Sequence, residues 1–89
     1  MRLTLRLSPS LQQSINGEIQ LVLEGHTIGQ CLEQGKQRFA DFRELLFKTN
    51  KLNPQILLFH NNTLIRENDF SNKVTENDVL DVIPAIEAG

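Results

Sequence analysis

The chain has 89 residues, of which 39% are hydrophobic and 22% are charged, and its formal net charge at pH 7 is −2. These values are ordinary for a globular domain, and the length allows one domain with one modest hydrophobic core. The charge balance gives no basis for binding nucleic acid, because that function requires a clustered basic surface.

Residues 2–7 and 18–23 each alternate apolar and polar side chains, which predicts two half-buried strands. A turn at Asn16–Gly17 would join them as an antiparallel pair. Thr27 is placed to cap a helix, since its hydroxyl can accept a hydrogen bond from an amide of the first turn. An apolar stripe at helical spacing follows, and a short second helix is predicted around residues 42–46.

The second half of the chain predicts three strands. Residues 48–54 are polar and are interpreted as a loop, and residues 56–59 form a continuous apolar run that we interpret as the most buried strand. Asn61–Asn62 separates this run from a strand at residues 63–65, and asparagine tolerates the positive φ angles of a tight hairpin turn. A polar segment then leads to a final strand at residues 79–83.

This order of elements predicts the α+β class and the β-grasp (ubiquitin-like) fold. The mixed sheet would have about five strands packed on one main helix, with a short second helix beside it. The last strand is expected to lie centrally, beside the first and parallel to it, because the main helix supplies the crossover that a parallel pair requires. Residues 1–84 would form this domain, and residues 85–89 would form a flexible C-terminal tail.

The end of the chain carries the main functional signal. An apolar strand ends at a proline and is followed by mostly small residues: Pro84, Ala85, Ile86, Glu87, Ala88 and Gly89. A core-forming strand that leads into a narrow, glycine-ended tail predicts that the carboxylate of Gly89 is the working group. A frayed terminus, which most domains have, is the alternative.

Residues beside the tail are predicted to bind a partner. Ile83 is out of phase with Leu80 and Val82, so it is expected on the opposite face of the sheet. Ile86 would join Ile83 in an exposed apolar patch, and such patches mark interaction sites. Asp81 is predicted to steer docking toward a basic groove, so reversal of its charge is expected to weaken partner binding.

Two segments resemble the ubiquitin-like sulfur carriers of the MoaD/ThiS family. Residues 57–66 are similar to the family's strand–asparagine–turn–strand hairpin. Residues 76–89 are similar to its pattern of Asp-Gly-Asp-Glu-Val, an apolar strand, a proline, two or three small or apolar residues, and a terminal Gly-Gly. Asn77 stands in place of the turn glycine, and Ala88 stands in place of the penultimate glycine. Within the family, the chain most resembles the small subunit of molybdopterin synthase.

The resemblance implies a carrier that works with partner enzymes and is not itself an enzyme. An activating enzyme would couple the Gly89 carboxylate to ATP as an acyl-adenylate, and a persulfide sulfur would then displace AMP to leave a thiocarboxylate. A sulfur-accepting synthase subunit would receive this sulfur in cofactor biosynthesis, with molybdopterin favoured. The chain would bind no cofactor of its own, since ATP is the substrate of the partner, and it would contact neither nucleic acid nor membrane.

Several alternatives remain open. A ubiquitin-like interaction module without C-terminal chemistry would share the fold, and Ala88 favours it, while a small structural subunit of a larger complex is a further possibility. Thiamin, cysteine and tRNA sulfur transfer use similar tails, as does conjugation to protein lysines.

Other residues give no sign of a second site. Cys31 is the only cysteine, which excludes a disulfide framework, and it lies on the helical stripe, where a packing role is expected. His26 and His60 have no ligand-spaced partners, so no metal site is predicted. No nucleophile–base pair or phosphate-binding glycine loop is recognisable. With no signal-peptide core and no membrane-length apolar run, we expect a cytoplasmic protein.

Overall fold

The structure is a computed structural model that describes residues 1–15 and 20–88. The predicted Asn16–Gly17 turn, and Glu18 and Ile19 of the predicted second strand, lie outside these residues. Seven strands and three α-helices occur in the described residues: β1 (Arg2–Leu7), β2 (Gln20–Glu24), α1 (Ile28–Arg38), α2 (Ala40–Leu46), β3 (Phe47–Lys48), β4 (Lys51–Leu52), β5 (Ile56–His60), β6 (Thr63–Ile65), β7 (Asp78–Pro84) and α3 (Ala85–Ala88). Two 3₁₀ helices cover Pro9–Ile15 and Glu67–Asp69.

Five strands form one mixed sheet in the order β2-β1-β7-β5-β6. Strand β1 is antiparallel to β2 and parallel to β7, with Leu3 opposite Asp78 and Leu7 opposite Val82. Strand β5 is antiparallel to both β7 and β6. The predicted class, the central position of the last strand and its parallel pairing with the first are therefore confirmed.

The core lies between this sheet and helices α1 and α2. Thr27 caps α1 as predicted, because its Oγ1 accepts a hydrogen bond from the backbone N–H of Gln30 at 3.1 Å. Cys31 is fully buried, and burial raises the pKa of its thiol. The buried apolar residues are Leu3, Leu5, Leu7, Leu21, Leu23, Ile28, Cys31, Leu32, Phe42, Leu46, Ile56, Leu58, Ile65, Val74, Leu80 and Val82.

Helix α1 packs closely on its neighbours at Gly35. A Cβ atom at this position would lie 2.8 Å from Cε1 of Phe42 on α2 and 3.1 Å from Cδ2 of Leu23 on β2. The absence of a side chain at Gly35 therefore allows one helix to contact both the sheet and the second helix.

Two local predictions are wrong. Residues 48–54 are not simply a loop, because β3 and β4 form a small antiparallel hairpin whose turn residues, Thr49 and Asn50, have φ angles of 50° and 61°. Strand β5 is not the most buried strand, since Ile56 and Leu58 are buried while Leu57 and Phe59 are only half-buried. The helices cover one face of the sheet, so every second residue of this apolar run faces away from the core.

The asparagine turns are as predicted. Asn61 and Asn62 have φ angles of 48° and 72°, which suits the tight hairpin between β5 and β6. Asn77, which stands in place of the turn glycine, has a φ of 71°, a backbone conformation that asparagine adopts more readily than most residues. Among the described helices, none combines the length and the apolar composition that a membrane crossing requires.

Candidate functional site

The tail leaves the body of the protein from the end of the central strand. Pro84 is opposite Ile56 of β5, and the backbone N–H of Ala85 donates to the carbonyl of Gln55 at 2.8 Å. The sheet therefore holds the chain up to Ala85. Gly89, the predicted working residue, lies outside the described residues.

The segment predicted to be a loose tail begins as one helical turn, α3. Ile86 is 90% exposed on this turn, in agreement with its predicted exposure. The Oγ of Ser8 donates to Oε2 of Glu87 over 3.4 Å, so a second and longer hydrogen bond connects the turn to the end of β1. The turn is thus held near the body at Ala85 and Glu87.

A mainly apolar groove of about 490 Å³ lies beside the base of the tail. Asn53, in its wall, is buried, and its polar atoms are used: Nδ2 donates to the carbonyl of Leu45 and Oδ1 accepts from the N–H of Gln55, both at 3.0 Å. The groove is lined by Leu11, Leu45, Asn53, Pro54, Gln55, Ile56, Pro84, Ala85 and Ile86. Ile86, predicted to bind a partner, belongs to this side of the molecule.

The sheet face opposite the helices, which we call the open face, carries an apolar patch. Leu57 and Ile83 are direct neighbours on adjacent strands, and so are Phe59 and Leu64. Leu64 is 41% exposed and the other three are half-buried. We define the apolar patch as these four residues: Leu57, Phe59, Leu64 and Ile83.

The sequence prediction placed Ile83 in an exposed patch but missed the other three members. The signal was present in the alternation of residues 56–59, which also fits a strand with one covered and one open face. Ile83 and Ile86 were predicted to lie in one patch, but the structure separates them. Ile83 lies in the sheet, whereas Ile86 lines the groove.

Asp81 forms an ion pair within the molecule. Its Oδ1 accepts from Nε of Arg6 at 2.7 Å and its Oδ2 accepts from Nη2 at 3.0 Å, a two-pronged ion pair across the parallel β1–β7 ladder. This hydrogen bonding and the adjacent negative charge raise the pKa of Arg6. The Asp81 carboxylate, which was predicted to steer docking, is therefore paired with the positive charge of Arg6.

A buried carboxylate determines where β7 begins. Asp78 accepts hydrogen bonds from the backbone N–H and the hydroxyl of Thr75 at 2.9 and 2.8 Å and from Nδ2 of Asn61 at 3.0 Å. Nε2 of His60 lies 2.9 Å from Oδ2 of Asp78. Burial raises the pKa of Asp78, but the hydrogen bonds from Thr75, Asn61 and His60 outweigh it and hold the pKa well below its ordinary value.

Asn61 connects this carboxylate to the hairpin. Its Oδ1 accepts from the N–H of Val79 at 2.9 Å, and its own backbone N–H donates to the carbonyl of Val79 at 2.9 Å. His60 thus belongs to a structural cluster, and the described residues contain no group of three or more side chains suited to holding a metal ion.

Comparison with known proteins was made by sequence and by structure. No protein-family model and no curated protein matches the sequence. The structure is similar to a chain of the Amycolatopsis orientalis BexX/CysO complex, with a TM-score of 0.77, 24% identity and coverage of 93% of this chain and 94% of that one. It is also similar to SAMP1 from Haloferax volcanii, with a TM-score of 0.80, 15% identity and full coverage of both chains.

A third similar structure is the complex of subunits 1 and 2 of the molybdopterin-converting factor from Helicobacter pylori, with a TM-score of 0.65 and 15% identity over 94% of this chain and 93% of that one. At these identities the likeness establishes the fold, which is the β-grasp fold predicted from the sequence. The architecture implied by the resemblance to the MoaD/ThiS family is thus confirmed.

The Asp78 cluster yields a prediction about stability and pH. We expect Asp78→Asn to lower the free energy of unfolding at pH 7 by about 1–3 kcal/mol, because an amide nitrogen would face donors that now bond a carboxylate. The lowered pKa means that the charged carboxylate stabilises the folded state above its ordinary pKa of 3.8. This contribution is lost as the pH falls below that value toward the folded-state pKa.

Urea unfolding between pH 3 and pH 7 measures both effects. The difference between the wild type and Asp78→Asn should shrink as the pH is lowered. Glu44→Gln, which removes a carboxylate from an exposed position of α2, is the matched control and should change stability little. A pH-independent difference would contradict the assigned role of the Asp78 charge.

Proposed function

We propose that the chain is a sulfur carrier and that the carboxylate of Gly89 is its reactive group. A partner enzyme adenylates this carboxylate, which attacks the α-phosphorus of ATP and releases pyrophosphate. The terminal sulfur of a persulfide then attacks the acyl carbon and displaces AMP, and a thiol reduces the resulting acyl disulfide to the thiocarboxylate. ATP is a substrate of the partner, and the carrier binds no cofactor.

One structural observation carries this proposal: the central strand leads directly into the tail, beside an apolar patch on the open face. A carboxylate is a poor electrophile, so the tail needs activation by another protein. The tail needs an anchored base from which to reach a foreign active site, and the patch offers a surface for holding the partner. The sheet holds the base of the tail at Pro84 and Ala85.

Two of the similar structures are complexes, which supports a role with partners. One contains CysO with BexX, and the other contains subunits 1 and 2 of the molybdopterin-converting factor. By analogy, this chain docks first on an adenylating enzyme and later on a sulfur-accepting synthase subunit, in the cytoplasm. Molybdopterin biosynthesis is the favoured pathway because the long segment between the first two strands and residues 38–46 resemble the small subunit of molybdopterin synthase.

The first test is chemical conversion of the C-terminus. We expect an increase in intact mass equal to exchange of one oxygen for sulfur when the chain is incubated with a purified adenylating enzyme, ATP, a persulfide donor and a thiol. Tandem mass spectrometry should place the change at Gly89. An unchanged mass with a panel of such enzymes that do bind the chain would favour the interaction module without C-terminal chemistry.

Ala88 generates the second test. Glycine lacks Cβ and enters narrow channels and backbone conformations that alanine does not. We therefore expect Ala88→Gly to keep or raise the rate of ATP–pyrophosphate exchange with the adenylating enzyme. Ala85→Gly is the matched control, because it makes the same change at the base of the tail. A clear fall in the exchange rate with Ala88→Gly would show that the channel requires alanine.

The apolar patch generates the third test. We expect Leu57→Lys to lower the exchange rate by about tenfold or more at limiting enzyme, because a charge replaces an apolar contact at the docking surface. Val22→Lys is the matched control, since Val22 is 50% exposed on edge strand β2 and lies outside the patch. Equal rates for the two variants, with unfolding curves like that of the wild type, would exclude the patch from docking.

A further inference from the structure

The Arg6–Asp81 ion pair lies on the open face, in the same cross-strand row as two residues of the apolar patch. Strand register places Arg6 and Asp81 side by side, with Phe59 and then Leu64 next across the sheet. Leu57 and Ile83 form the neighbouring apolar pair. A partner that covers the patch also meets the Arg6–Asp81 pair.

Covering an ion pair removes water from both charges, and that cost is recovered only if the partner supplies compensating hydrogen bonds. A wholly apolar partner surface would therefore be disfavoured on this face. The pair thus sets a chemical condition on any partner that binds the patch.

The geometry indicates which charge of the pair the partner meets. The side chain of Arg6 is 49% exposed and that of Asp81 is 21% exposed. Only Nε and one hydrogen of Nη2 point to Asp81, which leaves the outer edge of the guanidinium with N–H donors for another acceptor. Asp81 holds the guanidinium plane in place, so these donors are preorganised for a planar acceptor such as a carboxylate.

We propose that the Arg6–Asp81 pair makes the open face selective for a partner that places an aspartate or glutamate carboxylate against Arg6. Asp81 acts as a positioning residue for the guanidinium, and Arg6 is the residue that the partner contacts. This inference rests on the proposed function, because the partner is the adenylating enzyme that docks on the apolar patch. It reverses the polarity expected from the sequence alone, which had Asp81 meeting a basic groove.

The decisive variants remove the whole pair or only its positive half. In Arg6→Leu with Asp81→Leu, an apolar pair replaces the ion pair, so a partner that does not contact Arg6 should bind as tightly as before or more tightly. A partner carboxylate would lose the cation that it contacts, and we expect its binding to weaken by about tenfold or more. Arg6→Gln keeps Asp81 and removes only the cation, so it should weaken the binding of a partner carboxylate, whereas a basic partner group would bind as tightly as before or more tightly.

Titration calorimetry of each variant against a panel of purified adenylating enzymes measures these effects at two salt concentrations. The affinity of the wild type should fall as salt is raised, and that of the double leucine variant should fall less. Arg43→Leu removes an exposed arginine from α2, on the helical side of the sheet, and is the matched control with expected wild-type affinity. Urea unfolding verifies that each variant is folded.

The outcomes separate this inference from the proposed function. Weaker binding by both the double leucine variant and Arg6→Gln supports it. Equal or tighter binding by either variant overturns it, and tighter binding by Arg6→Gln would indicate a basic partner group that contacts Asp81. In either case, adenylation of the wild type leaves the proposed function standing. If no adenylating enzyme of the panel binds or adenylates the wild type, both the inference and the proposed function are rejected.

Discussion

The position of β7 in the middle of the sheet is the constraint on which the rest of the structure depends. Strand β7 pairs with β1 on one side and with β5 on the other, so its backbone groups are used in two ladders. Terminal segments usually fray unless the fold ties them down, and a central strand is tied down on both sides. The tail therefore starts from a place and a direction that the whole sheet determines.

The register of that strand is specified by its buried apolar residues and supported by one buried carboxylate. Because side chains alternate along a strand, a slip of one residue would move Leu80 and Val82 out of the core and bring Asp81 into it. Asp78, bound to Thr75 and Asn61, anchors the first residue of β7 and opposes such a slip. The polar cluster therefore supports the same register as the apolar alternation of β7, which places the apolar patch and the ion pair on the open face.

Local patterns predicted most of the fold, because alternation, a capping threonine and asparagine turns each act over a few residues. The patch and the ion pair were harder to predict because they depend on contacts between distant segments. Arg6 and Asp81 are 75 residues apart, and they meet only through the parallel register of β1 and β7. Likewise, the apolar run of β5 does not reveal that helices cover only one of its faces. The helical turn after Pro84 had no sequence signal beyond the helix propensity of its alanines.

Ala88 has two effects on the tail, and their free energies differ. In a helix interior alanine is favoured over glycine by about 1 kcal/mol, so at the last residue of this turn it biases the tail against an extended form by roughly fivefold at most. A single turn is costly to nucleate, and a partner that binds an extended tail readily overcomes a bias of this size. A methyl group against a rigid channel wall would act differently, because overpacking costs about 1–3 kcal/mol and no motion of the tail within the channel removes it. For the proposed sulfur-carrying role, the width of the partner's channel at position 88 therefore matters more than the conformation of the free tail.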